Sequence, residues 1–353
     1  MFLLSLLKGM IKILFTGKSD FNYNRVKVIK AGIEKLPDVE MIEYPIIKRK
    51  SFDLDKLKEL DKEVDFIYIP PFRHRDVAFI KKHTSKPLIF DPLISKYLTK
   101  DDYGQFWKLP FKYLLDYIPF KKADILLTDT NEHRNYFIKK FKLAPEKVNT
   151  LYIGADTAKF FKKEQQEKSN SKFIVGFYGS FVPLQGTDKI VEAAYQLKDH
   201  SDIQFEIVGA GHTFKKAQSL AKQWDLKNIH FHGSVAYEQL NPLINSFDLC
   251  LGIFGDSMKA DMVIPNKIYH YASISKCVLT KETPGIKELF IDQENIALCD
   301  NDPKAIAQSI LALKEDPEKI KEMGKEAEKL LRNTYNEVAI AEQLLTIIRH
   351  FKN

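Results

Sequence analysis

The sequence predicts an α/β chain built as two doubly wound domains facing a central cleft. Short apolar runs alternate with amphipathic stretches from end to end, and the alternation pauses once, at a polar run, before it restarts. The length of 353 residues, with 44% hydrophobic and 29% charged side chains, exceeds one ordinary core and suits two globular domains rather than a disordered or collagen-like chain. The expected domains are 1–165 and 166–335, with a last helix at 336–353 packing back on the first.

In the first half the candidate strands are 11–16, 39–44, 64–69, 87–91, 124–128 and 147–152. Helical periods lie between them, at 24–36, 53–60 and 74–82 for example. Strands separated by helical patterns argue for parallel βαβ units with right-handed crossovers. The run from Phe160 to Ser171 has no apolar period and reads as a linker. The pattern resumes at Phe173–Gly179, and a helix near 186–198 sets Ile190, Ala194 and Leu197 on one face. Further strands are expected at 203–208, 228–232, 247–251, 277–280 and 296–299. From about Asn336 to Phe351, Val338, Ala341, Leu345 and Ile348 form one apolar stripe, the mark of a packed helix.

Charge narrows the partners. Lys and Arg number 54 against 47 Asp and Glu, a net +7, which suits an anionic substrate or an acidic membrane surface and is too diffuse to argue for nucleic acid. No apolar run reaches the roughly 20 residues of a spanning helix. The apolar opening Met1–Lys8 lacks a charged leader and a small-residue cleavage site, so it reads as a vestigial leader or a start at Met10. Cys250, Cys277 and Cys299 have no CxxC spacing and read as buried thiols in a reducing compartment, the cytoplasm by default.

Ligands in doubly wound sheets bind at the carboxyl ends of strands, where helix starts offer N–H groups and a positive dipole end. Asn266 and Lys267 begin such a helix, running to about Ser273. Pro265 opens it without an N–H of its own. The plain alternative is a capped helix with surface lysines. Gly209 and Gly211 permit close backbone approach, although G-x-G recurs in many α/β turns. Gly17-Lys18-Ser19-Asp20 follows the first strand, and Asn22-Tyr23-Asn24-Arg25 starts a helix whose Arg25 would face an anionic group. Asp91 ends the fourth strand, as a site acid or as a turn residue before Pro92. His230 and His232 have metal-binding spacing but no third ligand nearby in sequence, so they read as edge or pocket-lining residues. Two D-x-D patterns, Asp53–Asp55 and Asp300–Asp302, stand at helix starts and read as caps. Trp107, Phe111, Leu114, Leu115 and Ile118 recur at helical spacing among Lys108, Lys112, Lys121 and Lys122. They read as a core-facing stripe, the alternative being a helix lying on an anionic bilayer.

Five segments in order resemble the retaining GT-B glycosyltransferases of family 4. They are Ile153-Gly154-Ala155-Asp156 followed by Phe160, Tyr178–Asp188, Ile207-Val208-Gly209-Ala210-Gly211-His212, Ile229–Val235 and Val263–Ala272. The resemblance covers almost the whole chain and implies two Rossmann-like domains. The family's phosphate-loop Arg and Lys fall on Ser180 and Gln185, and its paired glutamates on Met262 and His270. Carried over, donor contacts fall on Ser180, Gln185, Gly209, Gly211, His232, Val235, Lys259, Pro265, Asn266, Ile268 and His270. Gly17, Asn24 and Arg25 lie on the acceptor side, and Lys267 and Asp91 are the catalytic candidates, with Lys267 or Lys259 restoring the lost charge. The implied activity is metal-independent hexosyl transfer, without a cofactor, from a UDP- or GDP-sugar. The acceptor is a glycan or lipid-linked molecule in cell-surface polysaccharide biosynthesis, with peripheral membrane contact as a further expectation. Two rivals stand beside it: a degenerate relative that binds nucleotide or a partner without turnover, and a nicotinamide-dependent dehydrogenase. The second rival lacks the last glycine of G-x-G-x-x-G, since position 214 is Phe.

Overall fold

Strands apolar on every residue need cover on both faces, and parallel sheets flanked by helices supply it. The protein, described here by a computed structural model over residues 9–18, 23–48, 52–163 and 172–352, contains two such sheets in two units. The first unit comprises Met1–Asp156 and Tyr335–Asn353, the second Thr157–Thr334. Met1–Lys8, Ser19, Asp20, Asn22 and the stretch 164–171 of the expected linker lie outside the described residues.

In the first unit the strands are β1 (Ile11–Gly17), β2 (Val39–Pro45), β3 (Phe66–Ile69), β4 (Leu88–Phe90), β5 (Ile125–Thr128) and β6 (Val148–Thr150). All pairs are parallel, in the order β2-β1-β3-β4-β5-β6. The order reverses at β1, so β1 and β3 leave the sheet toward opposite faces and open a crevice at their carboxyl ends. Helices Asn24–Ile33 and Glu337–Lys352 cover one face, where Val28, Ile29, Ile340, Leu344 and Ile348 bury against β1. They approach closely because Gly32 has no side chain: a Cβ there would lie 1.9 Å from the Glu337 carbonyl oxygen. Lys35 pairs with Glu337 at 2.5 Å, Lys352 with Asp65 at 3.0 Å, and Arg349 with Asp38.

The second unit repeats the plan. Its strands are β7 (Phe173–Tyr178), β8 (Ile203–Val208), β9 (Ile229–Gly233), β10 (Leu249–Leu251), β11 (Val278–Lys281) and β12 (Ala297–Cys299). They pair in parallel in the order β12-β11-β10-β7-β8-β9. Phe160, expected at the head of the linker, is instead wholly buried in this unit. Asp53 caps helix Leu54–Glu63 and Asp302 caps helix Pro303–Lys314, each accepting two backbone N–H groups. No helix among the described residues is long and apolar enough to cross a membrane.

One expected core face is not core. In helix Leu109–Lys122 and the turn Phe106–Lys108 before it, Trp107 is 75% exposed, and Phe111, Leu114 and Ile118 are also exposed. The inward side is set by Asp116, whose carboxylate accepts from Ser95 Oγ at 2.7 Å and from the Lys96 and Tyr97 N–H groups at 3.0 and 2.8 Å. With Asp116, Pro119 and Phe120 turned in, the stripe at 107, 111, 114 and 118 must turn out.

Candidate functional site

Two loops at the carboxyl end of the second sheet are joined backbone to backbone. Gly179 N–H donates to the Val208 carbonyl at 3.0 Å, Phe181 N–H to that of Ala210 at 2.9 Å, and Thr213 N–H to that of Phe181 at 3.0 Å. The approach leaves no room for side chains. A Cβ on Gly209 (φ +127) would lie 1.9 Å from the Gly179 oxygen, and one on Gly211 (φ +150) 2.7 Å from that of Phe181. These glycines therefore hold the β7 and β8 loops together, leaving Ser180 and Gly211 exposed on the rim. Phe214, where the dehydrogenase pattern needs glycine, packs edge-on against Phe181 with ring centres 4.9 Å apart.

Lys267 lies beneath this rim. Helix Asn266–Ser273 opens at Pro265, and Pro265 and Asn266 are half-buried while Lys267 is only 3% exposed. Its ammonium donates to Gln185 Oε1 at 2.5 Å and to the Gly252 carbonyl at 3.4 Å, and rests 3.5 Å from the centre of the Phe177 ring. A Cβ on Gly179 would come within 2.8 Å of Lys267 Nζ. No carboxylate among the described residues pairs with it. Burial pushes the Lys267 ammonium well below its usual range, because a charge leaving water without a counter-ion is disfavoured. Gln185, itself buried, comes from the turn Pro183–Gln185 before helix Thr187–Gln196. The structure thus gathers Lys267, Gln185, Gly179 and the rim glycines in one place, with Lys259 half-buried on the neighbouring helix Met258–Met262.

Two expected donor contacts do not face an opening. Ile268 is wholly buried, and its N–H donates to the Pro265 carbonyl at 2.9 Å. His270 is 2% exposed, stacked on Phe160 with ring centres 3.7 Å apart, and its Nδ1 meets the Tyr178 hydroxyl. Burial pushes its pKa down to about 3, so it is a neutral packing residue. Phe160 and Tyr178 stand in the family-like segments of the sequence, but their packing around His270 is not written in the spacing.

His232 is exposed at the end of β9 and Val235 half-buried just beyond. Sequence spacing missed the partner of the two histidines. Parallel register sets Glu206 of β8 opposite His230, and its Oε2 lies 3.1 Å from His230 Nδ1 and 2.6 Å from His232 Nε2. The three ligand atoms lie within 4.8 Å of one another, a group able to hold a divalent ion. Aligning the outward positions of neighbouring strands is the signal that finds it.

In the first unit the expected site residues close on each other. Arg25 and Asp91 are both fully buried and joined as an ion pair; Arg25 Nη1 also donates to the Leu151 carbonyl at 2.8 Å. The Tyr68 hydroxyl donates to Asp91 at 2.7 Å. Arg25 and Asp91 thus answer each other's charge inside the core, and neither is exposed. Asn24 is buried beside them at the helix start, while Gly17 (φ +137) ends β1 against Pro70 and Asp76.

A pair of six-stranded parallel sheets of this order is the fold of GT-B glycosyltransferases. Anabaena HepE, solved with UDP and glucose, superposes with TM-score 0.73 at 17% identity, over 96% of this chain and 99% of that one. Sucrose-phosphate synthase of Thermosynechococcus elongatus gives 0.74 at 15% identity, over 97% and 99%. Residues 158–330, nearly all of the second unit, match the family model described as Glycosyl transferases group 1. The uncharacterized glycosyltransferase MJ1069 of Methanocaldococcus jannaschii is 25% identical over 224 residues, 62% of this chain and 56% of that protein. WcaI of Escherichia coli K12, a glycosyl transferase named for colanic acid biosynthesis, is 29% identical over 121 residues, 34% of this chain and 29% of its own. The chain thus spans about half the length of the first of these relatives and less of the second.

Proposed function

We propose that the protein is a retaining glycosyltransferase that takes a hexose from a UDP- or GDP-linked donor held by the second unit. Lys267 carries the reading. It is a buried amine whose hydrogen bonds go to neutral oxygens, set under a glycine rim beside a helix start and ready to become a cation when an anion arrives. Where the resembled family has Lys, this chain has Gln185, which accepts from Lys267. A second lysine there would crowd two ammonium groups, so the positive charge is moved to another element rather than lost.

In the reaction the acceptor oxygen bonds to the anomeric carbon on the face from which the phosphate oxygen departs. The acceptor proton passes to the departing nucleoside diphosphate. Negative charge grows on that phosphate, and an oriented cation stabilises it more than the ground state. No metal or cofactor enters this reading. Supporting a glycan or lipid-linked acceptor in cell-surface polysaccharide assembly is the name of the Escherichia coli relative, and supporting a UDP donor is the UDP bound to HepE. The first unit serves the acceptor, and three free cysteines suit the cytoplasm.

A thermal-shift screen of UDP-, GDP-, ADP- and CMP-sugars tests donor binding, since a bound ligand raises apparent stability. One nucleotide class should respond, and Lys267→Ala should cut transfer by roughly ten- to a thousandfold. Wild-type turnover in that variant removes Lys267 from the mechanism. A second reading, binding without turnover, draws on Met262 and His270 standing where the family has acids, with His270 sealed behind Phe160. A donor that shifts the melting point but is neither transferred nor hydrolysed would select it.

A further inference from the structure

Helix Leu109–Lys122 is apolar on two sides, and only one is covered. Phe106 is 64% exposed, and Phe111, Leu114 and Ile118 continue the same outward strip. A contiguous apolar strip of this size on a folded surface marks an interaction site. Its surroundings are basic. Lys108 and Lys112 lie over the Trp107 and Phe111 rings, 5.8 and 5.6 Å from their centres.

Beside the strip is a depression of about 190 Å³, with Arg73, Arg75, Lys96 and Lys112 among its walls and Leu115 at its edge. The carboxylate of its lining, Asp76, already accepts from the Lys18 N–H at 2.8 Å. Arg73 Nε is buried without a hydrogen-bond partner. Burial lowers the pKa of Lys96, and Lys112, Arg75 and Arg73 push it the same way against Asp116. Cations held this close favour an incoming anion. Phe72, on the loop that carries Arg73, adopts φ +68, a conformation rare for a bulky side chain and one that persists where the surroundings enforce it.

We infer that this face docks on an anionic phospholipid bilayer, with the strip in the acyl boundary and a lipid phosphate in the basic depression. Charge complementarity selects the occupant: a neutral protein surface would cover the strip but leave the four cations unanswered. The arrangement is that of interfacial helices, which combine apolar insertion with attraction to anionic headgroups.

Flotation of the full chain with vesicles of phosphatidylcholine alone, or with added phosphatidylglycerol, tests the inference without any donor present. Binding is expected to the anionic vesicles only and should weaken at high salt. Phe111→Ser with Leu114→Ser should abolish it, and Arg75→Gln with Lys112→Gln should weaken it about 30-fold, both with unchanged circular dichroism. Absence of binding, or equal binding to neutral vesicles, overturns the inference. So does a dimer that the serine pair dissolves, which assigns the strip to a second copy. Stabilisation by inorganic phosphate without vesicle binding assigns the depression to a soluble anion and also overturns it. A failed donor screen with intact vesicle binding leaves the docking face standing, and the reverse result leaves the donor site standing.

Discussion

Arg25 is a guanidinium held wholly out of water, and its stability there depends on Asp91. Burial alone would lower its pKa, but the Asp91 carboxylate offsets this and holds it protonated. Asp91→Ala should therefore destabilise the first unit by about 3–5 kcal/mol, the cost of an uncompensated buried charge, read as a lowered urea midpoint. His270 gives a pH signature with a definite sign. Its folded pKa of about 3 lies below that of an unfolded histidine, so the unfolded chain binds the extra proton. Stability is full above pH 6.5 and falls as pH drops toward 3, by about 1 kcal/mol at pH 5.5. His270→Phe should flatten the pH dependence of the melting temperature in that window. For Lys267 the sign concerns the ligand: an arriving diphosphate favours its charged form, so binding should take up a proton and weaken as pH rises. Calorimetry in buffers of different ionisation enthalpy reads this, and Lys267→Met should remove it. Such residues were legible as types, yet exposure was not. Asp91 before Pro92 looks the same in sequence whether it faces a ligand or an arginine.

The elements were more legible than the side chains. Runs such as Phe66–Ile69 and Leu249–Leu251, apolar at every position, announce strands buried on both faces, and G-x-G after β8 announces a tight turn. What the turn is for required the structure: its glycines admit the carbonyls of a neighbouring loop. Gly209→Ala should lower the melting temperature and abolish the donor response together, because both loops must part to admit a methyl group. The stripe at 107–118 shows the limit of periodicity, which locates an apolar face but not whether anything covers it. The decisive residue, Asp116, reads as a surface acid until its three donors are seen. Glu206 was missed for a similar reason, since pairing between strands is not written along either one.

At the scale of the chain, the first unit is assembled from both ends and the second from one continuous piece. Ile340, Leu344, Leu345 and Ile348 are buried against the first sheet, and at about 1.5–3 kcal/mol each their loss rivals the whole stability of a domain. A chain ending at Thr334 should lose the protease resistance of its first unit and keep that of 157–334, as limited proteolysis with mass mapping would show. The break in the strand–helix alternation was visible in the polar run after Phe161. This layout also orders events on the ribosome. The helix that completes the amino-terminal unit is synthesised about 180 residues after β6, a wait of roughly 10–40 s at ordinary elongation rates. The nascent amino-terminal sheet spends that interval with one face only half covered, by helix Asn24–Ile33 alone, a client for chaperones, while the later-made unit can close first.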